Sequence, residues 1–271
     1  MFMKLIELPD YIYKYISWDK EFQRRILYEN EIFFSSANKF NDPFDSTIPL
    51  RYDVGSDDQI FELFVKLIRN DNNNLTDDEV KRIARNEMRY DDVRGKKRIE
   101  NTIANQREII AEKYGIFSAS YRYDSILMWS HYSNLHKGLC IRFNCKKLKK
   151  YIENECPKND WIIVWDKAEY KENYPLLNPF ELSDDDLIMK SLLIKSIIWK
   201  YEKEIRFILF SYSNIALTLP DGIIDKIFLG CKILKDDRQE IIEIAQKKNI
   251  ELVQAFRKEN TFGLGFNSLN I

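Results

Sequence analysis

The sequence predicts an α+β fold, a curved mixed sheet with helices packed on it. Three observations carry the prediction. Short runs rich in β-branched and aromatic residues recur along the chain, segments with helical spacing of apolar residues are interleaved with them, and one stretch of about residues 56–113 has a helical pattern of its own and stands as an insertion between strands. A single domain over residues 1–271 accommodates all three. The 45% hydrophobic and 14% aromatic content is ample for a well-buried core.

Taken in order, Tyr11 to Ile16 is rich in Tyr and Ile and predicts the first strand. An amphipathic segment from Lys20 to Asn30 follows, packing Phe22, Ile26 and Leu27 inward, and then a short strand from Glu31 to Ser35. In the insertion, Ser56 with Gln59 and Thr76 with Glu79 form capping boxes, and the polar run Asp71 to Asn74 separates two helices. Ile60, Phe64 and Leu67 give the first of these helices its buried stripe. From Gly115 the pattern becomes a strand (GIFSASY), a helical turn through MWSHY closed by Gly138, and a strand (LCIRF). A strand WIIVW leads to Ser183, which caps a helix through DDDLIMKSLLIKSII. The strands EIRFILF, KIFLG and ELVQAF then frame a last helix from Asp236 to Lys248.

Charge narrows the partners. With 42 basic and 43 acidic residues the formal net charge is -1, so no global field draws nucleic acid or an anionic membrane to the chain. Lys81, Arg82, Arg85, Arg89, Arg94, Lys96, Lys97 and Arg98 are interleaved with Glu79, Glu87, Asp91 and Asp92, a mixture that favours a solvated helix face over a phosphate-binding surface. The opening MFMKLIELPDYIYKY lacks the parts of a signal peptide, and no apolar stretch is long enough for a membrane helix, so a cytoplasmic protein with no membrane partner is expected. Cys140, Cys145, Cys156 and Cys231 have no C-x-x-C spacing and are expected as free thiols.

Three polar motifs concentrate the chemistry. Asn41-Asp42-Pro43-Phe44-Asp45 is made of turn formers between two aromatic anchors, Phe40 and Phe44. It is either an Asx-type turn or a loop presenting Asp42 or Asp45 to a cleft. Met128-Trp129-Ser130-His131-Tyr132 is dense in polar-tipped aromatics, and on a helix Trp129, Tyr132 and His136 share a face. His131 is either a buried hydrogen-bonded residue or a site residue. The two histidines are five apart and point in different directions, so no metal is expected. In Glu202-Lys203-Glu204-Ile205-Arg206, an extended chain would put Glu202, Glu204 and Arg206 on one wall about 7 Å apart. That wall is either an ion-pair row or a reaction site with Trp199 and Tyr201 beside it.

The order of these motifs resembles a widespread bacterial family of uncharacterised proteins, some of which are similar to abortive-infection (phage-defence) factors. The residues carrying the likeness are Tyr13-Lys14-Tyr15, Phe34-Ser35 with FNDPFD, Phe117 to Ser120, MWSHY with His136-Lys137-Gly138, WKYEKEIR and Phe228-Leu229-Gly230. A second resemblance, to ADP-ribosyltransferases, implies a chemistry. Those enzymes carry a polar residue on the first strand, a Ser-x-Ser strand bracing the nicotinamide pocket and a Glu-x-Glu whose second acid promotes loss of nicotinamide from NAD. Lys14 or Tyr15, Ser118 with Ser120, and Glu202 with Glu204 stand in that order. The resemblance implies NAD as substrate, Glu204 as the principal acid, Glu202 and Arg206 beside it, and Trp129 or Tyr132 stacked on nicotinamide. Asn41, Asp42, Asp45 and His131 are expected to complete the pocket, and a protein or nucleic acid to serve as acceptor. Of the two first-strand candidates, Lys14 departs from the usual Arg, His or Tyr.

Two other classes compete with a transferase or NAD glycohydrolase. A Mg-dependent nuclease would hold its metal through Asp42, Asp45, Glu202 and Glu204. A non-catalytic binding or regulatory module would use the motifs only to fix the fold. No Walker loop, G-x-G-x-x-G, G-x-S-x-G or kinase signature occurs in the chain.

Overall fold

The computed structural model describes residues 6–90 and 93–270, so Asp91 and Asp92 of the mixed-charge run and the first five residues of the opening segment lie outside the described residues. In chain order the elements begin with β1 (Tyr11–Ile16), α1 (Glu21–Tyr28), β2 (Glu31–Ser36), α2 (Asp57–Asp71), α3 (Asp77–Tyr90), α4 (Lys96–Lys113), β3 (Tyr114–Ser120), α5 (Ile126–Tyr132), β4 (Leu139–Asn144), α6 (Cys145–Glu155) and β5 (Ile163–Lys167). They continue with β6 (Glu169–Lys171), α7 (Asp184–Leu193), β7 (Ile194–Ser196), β8 (Glu204–Phe210), β9 (Ile215–Thr218), β10 (Ile224–Leu229), α8 (Lys235–Lys248), β11 (Glu251–Arg257) and β12 (Leu264–Leu269). The chain is α+β. It divides into two compact units, one of Met1–Lys39, Ala111–Tyr170 and Ser196–Ile271, the other of Phe40–Ile110 and Lys171–Lys195.

The first unit is built on a ten-stranded mixed sheet in the order β12-β11-β10-β4-β1-β3-β2-β9, with β8 on β3 and β5 on β8. All these pairings are antiparallel except β10 with β11, which α8 connects. Side chains alternate along each strand, so the sheet has two distinct faces. One face carries Ile12, Ile16, Phe117, Ala119, Ile141, Phe143, Ile205, Phe207, Ile227 and Leu229, all buried, and α1, α6 and α8 cover it with Ile26, Leu27, Leu148, Ile152, Ile241 and Ala245. The other face carries Tyr15, Cys140, Phe228 and Val253 under Met128 and Trp129 of α5. Alternation also puts Ser118, Ser120, Glu204 and Arg206 on this second face.

Strand β3 organises the site. Strand β8 pairs along its whole length from Tyr114↔Phe210 to Ser120↔Glu204, whereas β2 meets it only at Gly115 and Ile116 and β1 only at Ser120. Both serines are therefore flanked by β8, with Ser118 opposite Arg206 and Ser120 opposite Glu204.

The second unit holds α2, α3, α7 and most of α4. Ser56 caps α2 with the expected reciprocal box, and Thr76 and Glu79 exchange the equivalent bonds ahead of α3. Ile60, Phe64, Val65, Val80 and Ala84 form one apolar cluster, and Ile48, Leu177, Leu187 and Ile194 another.

Several expectations need correction. Phe22 of α1 is 69% exposed and Leu67 of α2 46% exposed, because each lies at the border of its helix stripe, where the outer side of the turn meets solvent. The insertion holds three helices, α4 being the third. The helix capped by Ser183 stops at Leu193; of the remaining predicted residues Ile194–Ser196 extend as β7, and Ile197 and Ile198 open a 3-10 helix. Gly138 does not close α5, which ends at Tyr132. The chain turns instead through Asn134, Leu135 and His136, with φ of 43°, 55° and 70°. The four cysteines are free thiols. Among the described residues no helix is long and apolar enough to cross a membrane.

Candidate functional site

The charged row on the second face centres on β8. Glu204 and Arg206 are two residues apart on the strand, so both side chains leave the same face, and the guanidinium folds back to take the carboxylate with both forks. Nε stands 2.9 Å from Oε1 and Nη2 3.0 Å from Oε2, with Arg206 wholly buried and Glu204 6% exposed. Arginine stays protonated in proteins, so the pair joins a fixed cation to a carboxylate out of water. The N–H of Glu204 donates to Tyr170 Oη at 2.9 Å. Asp166 of β5 lies opposite Arg206 on its other side, and its Oδ1 accepts from Lys167 N–H at 2.7 Å.

Glu202 differs from expectation. It ends a 3-10 helix, Ile197–Glu202, and Lys203 then adopts a left-handed conformation (φ 47°, ψ 53°) before the strand starts at Glu204. Glu202 and Glu204 are thus not neighbours on one strand face, because the turn between them resets the alternation. Glu202 is buried. Its carboxylate accepts from the Tyr132 hydroxyl, and its carbonyl accepts from Ser120 Oγ at 2.6 Å. Ser120 Oγ also accepts from Arg122 N–H at 3.0 Å, so this hydroxyl joins the end of β3 to the turn before β8.

The first strand splits its two candidates. Tyr15 faces α5, where its buried hydroxyl donates to Arg122 O at 2.9 Å and burial pushes its pKa up. Lys14 faces the opposite side, donating from Nζ to Ser118 O at 2.6 Å and standing 5.2 Å from the centroid of the Phe117 ring. Trp129 is fully buried, with Nε1 donating to Tyr123 O at 2.7 Å and its ring set edge-on to Tyr15. Tyr132 is half-buried and occupied with Glu202. His131 is exposed and not a core residue, and its ring lies 6.0 Å from that of Tyr201, which in turn lies 6.0 Å from Trp199. His136, off the helix, still stacks on Trp129 at 6.4 Å, because the left-handed turn folds it back.

The FNDPFD segment belongs to the second unit. Asp42 Oδ1 accepts from Phe44 N–H at 2.9 Å and its carbonyl from Asp45 N–H at 3.2 Å, which is the Asx-type turn the sequence offered. Asp45 is buried, accepts from Ser46 Oγ at 3.0 Å and stands 3.4 Å from Lys195 Nζ. Asn41 is exposed, and so is Phe44 (63%), which corrects its expected anchoring role. Among the described residues no group of three or more His, Cys, Asp and Glu is placed to hold a metal ion.

Sequence reasoning missed Asp166, Tyr170 and Lys195. The alternation of Ile163 and Trp165 inward marks Asp166 as outward on the strand after WII, a signal that was there to be read. Nothing in the sequence marks Tyr170 or Lys195, because their partners are about 34 and 150 residues away along the chain.

In class this is an α+β protein with a buried polar row on one face of a mixed sheet. Residues 128–207 match the model of a family described as a protein of unknown function (DUF2971), so over that stretch the chain is similar to an uncharacterised protein family. The stretch contains Trp129, His131, Tyr132, Glu202, Glu204 and Arg206. No curated protein and no solved structure matches the chain.

Proposed function

We propose that the first unit carries an active centre for breaking the N-glycosidic bond of NAD, in the manner of an ADP-ribosyltransferase or NAD glycohydrolase. The observation that supports this most is the register of β3 on β8, which sets Ser118 and Ser120 opposite Arg206 and Glu204 on one sheet face. As the bond between nicotinamide and C1′ of the ribose breaks, nicotinamide leaves with the electron pair and positive charge spreads over C1′ and the ring oxygen. A carboxylate held in a dry, preorganised site stabilises that charge far better than water does. Arg206 fixes the plane of the Glu204 carboxylate and takes two of its roughly four lone-pair positions. Water, or a hydroxyl of a protein or nucleic-acid acceptor, then adds to C1′ and loses its proton. Consumption of NAD in the cytoplasm would stop an infected cell, which is how a phage-defence role would follow.

The test is release of nicotinamide by the purified, folded protein incubated with NAD. Wild type should release it, and Glu204→Gln should release it at least about a hundredfold more slowly, the scale expected for one transition-state electrostatic group. A folded wild type that neither releases nicotinamide nor gains thermal stability with NAD would end the reading.

A second reading rests on a different observation. Glu204 is engaged by Arg206 and Glu202 by Tyr132, so both acids already satisfy partners within the fold. That favours a non-catalytic binding or regulatory module, in which His131→Ala leaves cellular activity unchanged while core substitutions abolish it.

A further inference from the structure

Residues 202–204 are held by hydrogen bonds from several elements. The Glu202 carboxylate accepts from Tyr132, and the Glu202 carbonyl accepts from Ser120 Oγ at 2.6 Å. The Lys203 carbonyl accepts from Tyr121 N–H at 2.9 Å, and Glu204 N–H donates to Tyr170 Oη at 2.9 Å. Between these anchors Lys203 sits at φ 47°, a backbone conformation that a side-chain-bearing residue keeps only where its surroundings enforce it. The turn they enforce decides where β8 begins, and the first side chain of β8 is Glu204.

We infer that Tyr132 is a positioning residue for Glu204 and acts through Glu202. The phenol, carried on the last residue of α5, holds the Glu202 carboxylate. Glu202 holds the left-handed turn, and the turn sets the carboxylate of Glu204 against Arg206. The catalytic consequence rests on the proposed role of Glu204, whereas the positioning itself does not.

The experiment reads both levels in wild type, Tyr132→Phe and Glu202→Leu, by amide hydrogen exchange and by nicotinamide release from NAD. Tyr132→Phe should speed exchange across residues 200–206 by about tenfold, the scale of one hydrogen bond, and leave β10 and β11 unchanged. It should lower kcat by about tenfold with KM altered less than about twofold, because the loss falls on transition-state geometry and not on ground-state binding. Glu202→Leu removes the acceptor that Tyr132 holds and should speed local exchange at least as much as Tyr132→Phe does. Ser120→Ala, which removes the carbonyl anchor, should reproduce the local exchange if Tyr132→Phe does not fold. Wild-type exchange and kcat in Tyr132→Phe would overturn the inference, as would local exchange in Glu202→Leu no faster than in wild type. If wild type releases no nicotinamide, the enzyme reading falls and the exchange data alone decide whether Tyr132 positions the turn.

Discussion

Arg206 and Glu204 close their ion pair along one strand, not across two, in a bidentate contact of 2.9 and 3.0 Å from which water is excluded. An isolated charge in that place would be expensive, since several kcal/mol of desolvation per ion is offset only by good geometry and further hydrogen bonds. The pair is therefore strongly coupled, and removing both members should cost less than the two single removals added together.

Arg206→Met is expected to destabilise the protein by about 3–5 kcal/mol, because it removes the bidentate partner of the buried Glu204 carboxylate, and the double substitution Arg206→Met with Glu204→Leu is expected to cost less than the sum of the two single losses. Urea denaturation of both single variants and the double variant gives the coupling energy. Additive losses would show that the two side chains are held independently, against the geometry described.

The tight passage between the end of α5 and β10 yields a second prediction. A Cβ at Gly138 would stand 2.1 Å from the Ile16 carbonyl oxygen, and one at Gly230 would stand 2.1 Å from that of His136. Gly230 N–H also donates to the Gly138 carbonyl at 3.0 Å, so the two glycines let backbone meet backbone where no side chain fits. Gly138→Ala and Gly230→Ala should each lower stability by at least about 1–3 kcal/mol, since backbone atoms yield less readily than side chains. Gly263→Ala is the control: the nearest atom to its Cβ is 3.6 Å away on the flexible Lys258 side chain, and its effect should stay within about 0.5 kcal/mol. Thermal denaturation of the three variants separates the cases, and equal shifts in all three would discard the explanation.

What the sequence made legible follows the range of the forces involved. Strands β1 and β8 were readable to the residue, because period-two alternation and β-branched composition are local signals that the buried face reinforces. The Ser56 box was readable for the same reason. Helix α6 escaped notice because Cys145–Glu155 carries only a few apolar positions among its lysines, and β9 and β12 because short edge strands show little pattern. At the site, Ser118, Ser120, Glu204 and Arg206 showed in the sequence as alternating positions on strands. The placement of Glu202 did not, since a left-handed lysine is a tertiary outcome with no composition of its own. Lys14 and Tyr15 show the limit of motif reading most plainly. Adjacent residues on a strand face opposite ways, so naming both left open which one shares a face with Glu204.

His136 connects the same turn to pH. Its ring stacks on buried Trp129 at 6.4 Å and an interplanar angle of 9°, its Nδ1 is buried with no hydrogen-bond partner, and it sits at φ 70°. Burial, with a smaller contribution from the nearby positive charge of Lys232, holds its pKa below the ordinary value of 6.5. The unfolded chain therefore binds a proton more readily than the folded one. The stabilising effect is fully present above about pH 6.5 and is lost as pH falls through the lower folded value. Stability measured by urea denaturation should change little with this residue between pH 8 and 7 and fall below pH 6.5, ahead of the carboxylate titrations that dominate acid unfolding. His136→Gln removes the titrating group. It should lose some stability at every pH through the missing ring stack, but its curve should be flatter across the 6.5 region than that of wild type. Because the stack is lost equally at all pH values, the slope and not the absolute stability carries the information. Parallel curves for wild type and His136→Gln between pH 7.5 and 5.5 would show that protonation of this histidine is not coupled to folding.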